Sequence, residues 1–168
     1  TSSAIFRIWF ADFLEQKKII DSSIVNLGNY VNCVPGRSYR SIDLQESNNA
    51  LVSLKCFKRD GGFSESGLKS YTGDFKSEQV ILDDDIVVSQ TDITQDGDVI
   101  GKPIIIFNLN YEKLIASLDC MIVRLRNNTL TKPFLYFLLK DQSFHHHALA
   151  YSLGTTVLHL DKKCIPEF

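Results

Sequence analysis

The sequence has no cysteines spaced for metal or redox chemistry. Cys33, Cys56, Cys120 and Cys164 are scattered, and no CxxC pair occurs. That spacing argues against a zinc site. Cys56 and Cys120 sit in apolar runs and read as small core residues. With this much apolar material a disulfide scaffold is not needed, so a reducing, cytoplasmic setting is expected. Long apolar runs are missing too, with none near the ~18 residues of a membrane span. Thr1-Ser2-Ser3 leads straight into Ala4-Ile5-Phe6 without the basic start of a signal peptide. A basic excess is also absent. Net charge is −2 and the pI about 6.0, which counts against a nucleic-acid partner. It does not exclude one, because charge can be asymmetric and phosphate contacts can come from a neighbouring subunit. No glycine-rich phosphate loop, GxSxG elbow or dinucleotide fingerprint is found.

What remains is a chain of 168 residues, 44% hydrophobic and 23% charged. That is enough for one domain with a full core, and low-complexity tracts that would argue for disorder are missing. Residues 4–16, AIFRIWFADFLEQ, have helical spacing with apolar side chains around nearly the whole circumference. Such a helix must be buried or must pack on another chain. It starts as if cut from a longer element, and Lys17-Lys18 suits its C-terminal end. Residues 19–26 read as a connector. A short strand over 27–36 ends at the turn signal Pro35-Gly36, and 37–40 then reads as exposed.

Residues 51–57 alternate, with Val52, Leu54 and Cys56 on one face, and predict a strand. A polar loop follows at 58–62. Residues 79–90 predict two strand pieces around a turn at 82–85. Residues 91–101 predict a polar loop with a hairpin signal at Asp96-Gly97. Residues 104–107 and 118–126 predict buried strands. Pro133 predicts the first turn of a helix over 133–142, with Thr131 or Lys132 at the cap. Phe144, Ala148 and Tyr151 either continue that helix or begin a second one. Gly154 predicts a stop and 157–160 a strand. Strands in the middle and helices at the ends point to an α+β fold, a twisted, mostly antiparallel sheet flanked by helices at the N- and C-terminal parts.

Two clusters invite a catalytic reading. His145, His146 and His147 are adjacent, so on a helix they point about 100° apart and cannot converge on one metal. A ligand pair would want i, i+4 spacing, as in HExxH. Asp83, Asp84 and Asp85 offer at most Asp83 and Asp85 on one strand face. The plainer readings are a polar face and a solvated turn. The basic residues form small groups: Arg37 with Arg40, Lys55 with Lys58 and Arg59, Arg124 with Arg126, Lys162 with Lys163. Two of these groups adjoin glycine turns, and the stretch Ser89-Gln90-Thr91-Asp92 followed by Thr94-Gln95 carries side chains of the kind that read base edges.

Taken in order, several segments resemble the specificity subunits of type I restriction–modification systems. AIFRIWFADF at 4–13 resembles the aromatic end of the conserved helix preceding a recognition domain. Leu27-Gly28 with Pro35-Gly36 resembles the family's opening strand. Residues 51–57 resemble the strand whose downstream loop carries glycine. VILDDDIVVSQTDIT resembles the family's L-x-G-D-hydrophobic strand and its polar loop, and Val99-Ile100-Gly101-Lys102 resembles the return from that loop. The helix at 133–142, the stretch Gly154 to Leu160, and Ile165-Pro166 resemble the closing run. One departure is Asp84, where the family commonly has glycine. Another is size, since the family usually carries two recognition domains and this chain matches one.

The resemblance implies a non-catalytic reader of one half of a split DNA site. Residues 1–18 would be the end of the spacer helix, and 19–168 the target-recognition domain. Double-stranded DNA would meet loops at 36–41, 58–63 and 89–102, through Arg37, Ser38, Tyr39, Arg40, Lys58, Arg59, Ser89, Gln90, Thr91 and Lys102. His145 to His147 and Ser152 to Thr156 could assist. Phe6, Trp9, Phe10 and Phe13 would bind methyltransferase (modification) subunits. No cofactor would be held in this chain: S-adenosylmethionine would sit on those subunits, and ATP on the restriction (motor-nuclease) subunit. Two other readings stay open: a small metal-dependent nuclease using Asp83, Asp85 and the histidines, and a protein-interaction module built on residues 4–16.

Overall fold

A computed structural model describes residues 25–94, 96–107 and 110–168. The aromatic segment at 4–16, with Phe6, Trp9, Phe10 and Phe13, lies outside the described residues, as does the proposed boundary at 18. Strand β1 is Val31–Pro35, β2 Asn49–Val52, β3 Lys69–Ser70, β4 Val80–Ile81, β5 Ile86–Ser89, β6 Thr91–Asp92, β7 Pro103–Ile105, β8 Lys113–Ala116 and β9 Cys120–Leu125. Helices α1 (Lys132–Lys140) and α2 (Gln142–Ala150) follow. The chain closes with β10 (Ser152–Leu153), β11 (Leu158–Leu160) and the short helix α3 (Cys164–Glu167). This is the expected α+β class. The expected single sheet is divided into three, of order β1-β9-β5-β7, β3-β2-β8-β4 and β10-β11-β6. Among the described residues the pairings between strands are antiparallel except β2 with β8, and Arg37 bridges Ser117 in parallel.

The central strands β5 and β9 are buried on both faces. Alternation then sends successive side chains into two different cores. Ile86, Val88, Met121 and Val123 face α1 and α2 and pack with Leu135, Leu139, Phe144, Ala148 and Ile165. Val87 and Ile122 face the second sheet and pack with Val52, Ile81, Ile104 and Ala116. Phe144 is fully buried, so truncating it to alanine would cost about 3–5 kcal/mol.

The helices begin where their caps dictate. Thr131 Oγ1 accepts from Phe134 N at 3.3 Å, with Pro133 in the first turn. Asp141 then caps a second helix, its carboxylate accepting from Ser143 N at 2.9 Å. The aspartate therefore breaks the apolar stripe into two helices.

Three expectations need correction. The strand expected over 51–57 stops at Val52, and Leu54–Cys56 is a 3-10 turn. Cys56 and Phe57 are buried and Leu54 packs against them in the second core, without a strand, while Lys55 is exposed. Gly154 does not stop a helix: α2 ends at Ala150, and Gly154, at φ +125°, lies in the turn joining β10 to β11. The turn at 82–85 is present, but Asp85 in it is buried. Its carboxylate accepts from Arg124 Nη2 at 2.6 Å and from Leu82 N at 2.8 Å. Arg124 also donates to the carbonyls of Val80 and Glu78. Asp84, where glycine was expected, takes φ 64°. This is the left-handed region that glycine favours and aspartate tolerates, and its carboxylate pairs with Lys132.

Candidate nucleic-acid interface

The three loops expected to meet DNA are far apart in sequence but consecutive neighbours in space. Arg37 N donates to Ala116 O at 2.8 Å, and Leu118 N donates back to Arg37 O at 2.7 Å. Gly36 allows this approach: a Cβ there would fall 1.9 Å from Ser117 O. The turn between β8 and β9 in turn holds the next segment. Gln90 N donates to Asp119 O at 2.7 Å, Gln90 Nε2 to Cys120 O at 2.8 Å, and Thr91 Oγ1 to Asp119 Oδ1 at 3.1 Å. Ser89 N then donates to Lys102 O at 3.1 Å. Lys102 Nζ donates to Arg59 O, and Arg59 lies 3.6 Å from Asp98. A continuous rim therefore runs from Arg37 through Leu118, Gln90 and Lys102 to Arg59.

The side chains on this rim are not equally available. Ser38, Arg40, Lys58 and Arg59 are exposed, and Arg37, Tyr39, Gln90 and Lys102 are half-buried. Arg37, Ser38, Tyr39 and Arg40 line a hollow of about 240 Å³ with Asp43 and Asp74. The Tyr39 hydroxyl accepts from Lys69 Nζ at 2.9 Å, and that ammonium lies 5.0 Å from the ring centroid. The Asp43 carboxyl is held below its ordinary range, chiefly by the backbone N–H of Arg40 and further by the Arg40 and Arg37 guanidiniums.

Ser89 and Thr91 differ from expectation. Both are buried, because Ser89 ends a central strand and Thr91 lies in β6, paired with β11. The Ser89 hydroxyl donates to Val99 O, so these two hydroxyls hold the rim together instead of facing outward.

Sequence reasoning missed the organiser of the 89–102 segment. Asp92 is fully buried. Its Oδ1 accepts from Thr94 N and Thr94 Oγ1, both at 2.7 Å. Its Oδ2 accepts from Val99 N at 2.5 Å and Ile100 N at 3.0 Å. The signal was the Asp-x-Thr spacing of an Asx turn, which brings side-chain oxygen to backbone N–H two residues on. Gly101, at φ +73°, lets the segment return against α2, where a Cβ would fall 2.7 Å from Ala148 Cβ.

The histidines support this segment and diverge from one another. His145 Nδ1 donates to Ile100 O at 3.2 Å, and His147 Nε2 to Cys164 O at 2.9 Å. His147 also stacks on Tyr151 with ring centroids 4.4 Å apart. His146 is exposed beside Gln142. The β10–β11 hairpin that carries residues 152–156 joins the rim through His159, which pairs with Thr91. Among the described residues no three His, Cys, Asp or Glu side chains are grouped to hold a metal, and no helix is long and apolar enough to cross a membrane. A second hollow, about 630 Å³, lies at the far end of β9 against the start of α1.

No family model matches the chain, and no curated protein does. Solved structures do. The S subunit of a type I restriction–modification system from M. genitalium superposes with a TM-score of 0.55 at 12% identity, over 85% of this chain and 32% of that one. The HsdS subunit from Thermoanaerobacter tengcongensis gives 0.57 at 15% identity, over 89% and 34%. A structure of complex assembly and conformational transition in the type I R-M system gives 0.59 at 13% identity, over 99% and 42%. The chain has the fold of type I restriction–modification S subunits. It spans about a third to two fifths of the length of those chains. On the S-subunit fold, the rim from Arg37 to Arg59 is where the loops expected from sequence converge.

Proposed function

We propose that the chain is a non-catalytic, sequence-specific DNA-recognition domain of a type I restriction–modification specificity subunit, reading one half of a bipartite site. The observation that carries this reading is the continuous rim on an S-subunit fold, with Arg37, Arg40, Lys58, Arg59 and Lys102 along it. Arginine and lysine on such a rim would meet guanine edges or phosphates, whereas Gln90, the expected adenine contact, has its Nε2 engaged by the carbonyls of Leu118 and Cys120. Ser89 and Thr91 would set the rim's shape. The domain would direct methyltransferase subunits, bound through Phe6, Trp9, Phe10 and Phe13, and a motor-nuclease subunit to the site, in the cytoplasm. S-adenosylmethionine and ATP would be used on those subunits. The acidic balance of the chain fits a half-site reader whose affinity is shared with a second half-site.

The test is duplex binding by the chain over a range of salt. Arg59→Ala and Lys102→Ala should each lower the slope of log affinity against log salt by about 1 if the residue meets a phosphate, or relax base preference by about 1–3 kcal/mol if it meets a base. Binding left unchanged in affinity, salt slope and preference by both changes would overturn the reading.

A further inference from the structure

Leu118 stands in the middle of the rim, between Arg37 and Gln90, with 55% of its surface exposed. An exposed leucine is ordinary in itself. This one stands between Arg37 and Gln90 on a backbone that is firmly held on both sides. Its N–H donates to Arg37 O at 2.7 Å, and its carbonyl accepts from Gln90 Nε2 at 3.4 Å. On one side Ser117 is fully buried, and Cys120 N closes the turn on Ser117 O at 2.8 Å. On the other side Asp119 accepts from Thr91 Oγ1 at 3.1 Å, and Asp119 N donates to Ser117 Oγ at 3.3 Å. An apolar side chain is thus displayed on a frame ordered before any partner arrives, which lowers the cost of binding.

Resting on the DNA-recognition reading, we infer that Leu118 is a specificity residue that contacts the 5-methyl group of a thymine in the major groove. The thymine methyl is the apolar feature of the base-pair edges there, and aliphatic side chains read it by contact. Arg37, beside Leu118, carries guanidinium donors suited to major-groove edges, while the Gln90 amide hydrogens are held by the Leu118 and Cys120 carbonyls and fix the turn. A leucine wedge between base steps is the competing use, but such wedges enter from the minor groove.

The experiment uses the whole chain and a duplex enriched by that chain from a randomised pool. Each thymine of the duplex is replaced singly by uracil, which removes the methyl and leaves every hydrogen-bonding group in place. Burying one methyl against a leucine corresponds to about fourfold in affinity. The wild-type chain should lose about fourfold at one position. Leu118→Ala should bind the thymine duplex as weakly as the wild type binds the uracil one, and should be indifferent to uracil there. Leu118→Met should keep the sensitivity.

Duplex binding with no uracil-sensitive position, or a sensitive position that persists in Leu118→Ala, overturns the role of Leu118 and leaves the DNA reading standing. A loss on Leu118→Ala that ignores the methyl identifies a wedge and also overturns the inference. A pool from which neither the chain nor the complete restriction–modification complex containing it enriches a duplex overturns the DNA reading, and the role of Leu118 with it.

Discussion

Asp92→Asn isolates the device that shapes the rim. The side chain is fully buried and accepts four hydrogen bonds, two on each oxygen. Asparagine keeps one oxygen and turns an NH2 group toward two donors, so two bonds to a charged acceptor are lost and a donor faces donors. Hydrogen bonds to charged groups contribute about 1.5–3 kcal/mol each. The substitution also removes a buried charge, which offsets part of the loss. The net destabilisation expected is about 2–4 kcal/mol, a large share of a typical domain's 5–15 kcal/mol. It should be read by urea denaturation, with amide exchange at Val99 and Ile100 as the local probe. Both amides should exchange faster even where the global loss is at the lower end. Asp98→Asn is the control, since its 3.6 Å pair with Arg59 is solvent-exposed and worth about 0–1 kcal/mol. If Asp92→Asn shifts stability no more than Asp98→Asn, and the two amides keep their protection, then Asp92 does not organise the loop.

Other consequences follow from the same contacts. Arg124→Met leaves Asp85 buried without its partner and should cost about 3–5 kcal/mol by denaturant melt, part of which Asp85→Asn on the same background should restore. Gly36→Ala drives a methyl into Ser117 O; a loss of about 1–3 kcal/mol would appear as a clear fall in Tm, and an unchanged Tm would deny the close approach. Burial pushes the Cys33 and Cys56 thiols up to about 11, the Cys164 thiol to about 12, and the Cys120 thiol upward as well. A raised folded-state value means the unfolded chain ionises first. The contribution to stability is therefore whole below the ordinary thiol range and is lost as pH rises from about 9 toward 12. Under reducing conditions the denaturation midpoint should fall across that window, and Cys120→Ala should make the fall shallower.

Much of the fold was legible wherever a signal was local. The apolar runs gave β5, β7 and β9, the turn at 82–85 separated β4 from β5 as expected, and Thr131 with Pro133 placed the start of α1. The rest depends on distant partners. The parallel pairing of β2 with β8 joins residues about sixty apart, and nothing in either segment names the other. The two-residue strands β3, β6 and β10 are too short to carry a period. Ser89 and Thr91 were read as loop residues because they are polar; their burial follows from acceptors at Val99 and Asp119 that only the folded chain supplies. The three loops were legible one by one. Their union into a rim was not, since it is made by the turn at 117–120: Leu118 and Asp119 were expected to open the buried strand over 118–126, but that strand begins at Cys120 and Leu118 is exposed.

We propose this rim as the reader of one half of a split DNA site. Its most direct test is a map of methylated adenines in DNA exposed to the complete restriction–modification complex containing this chain, with and without Arg40→Ala, Arg59→Ala and Leu118→Ala. The expected map shows a bipartite motif in which the substitutions relax one half and leave the other half unchanged. A motif identical for all variants, or altered equally in both halves, would contradict it.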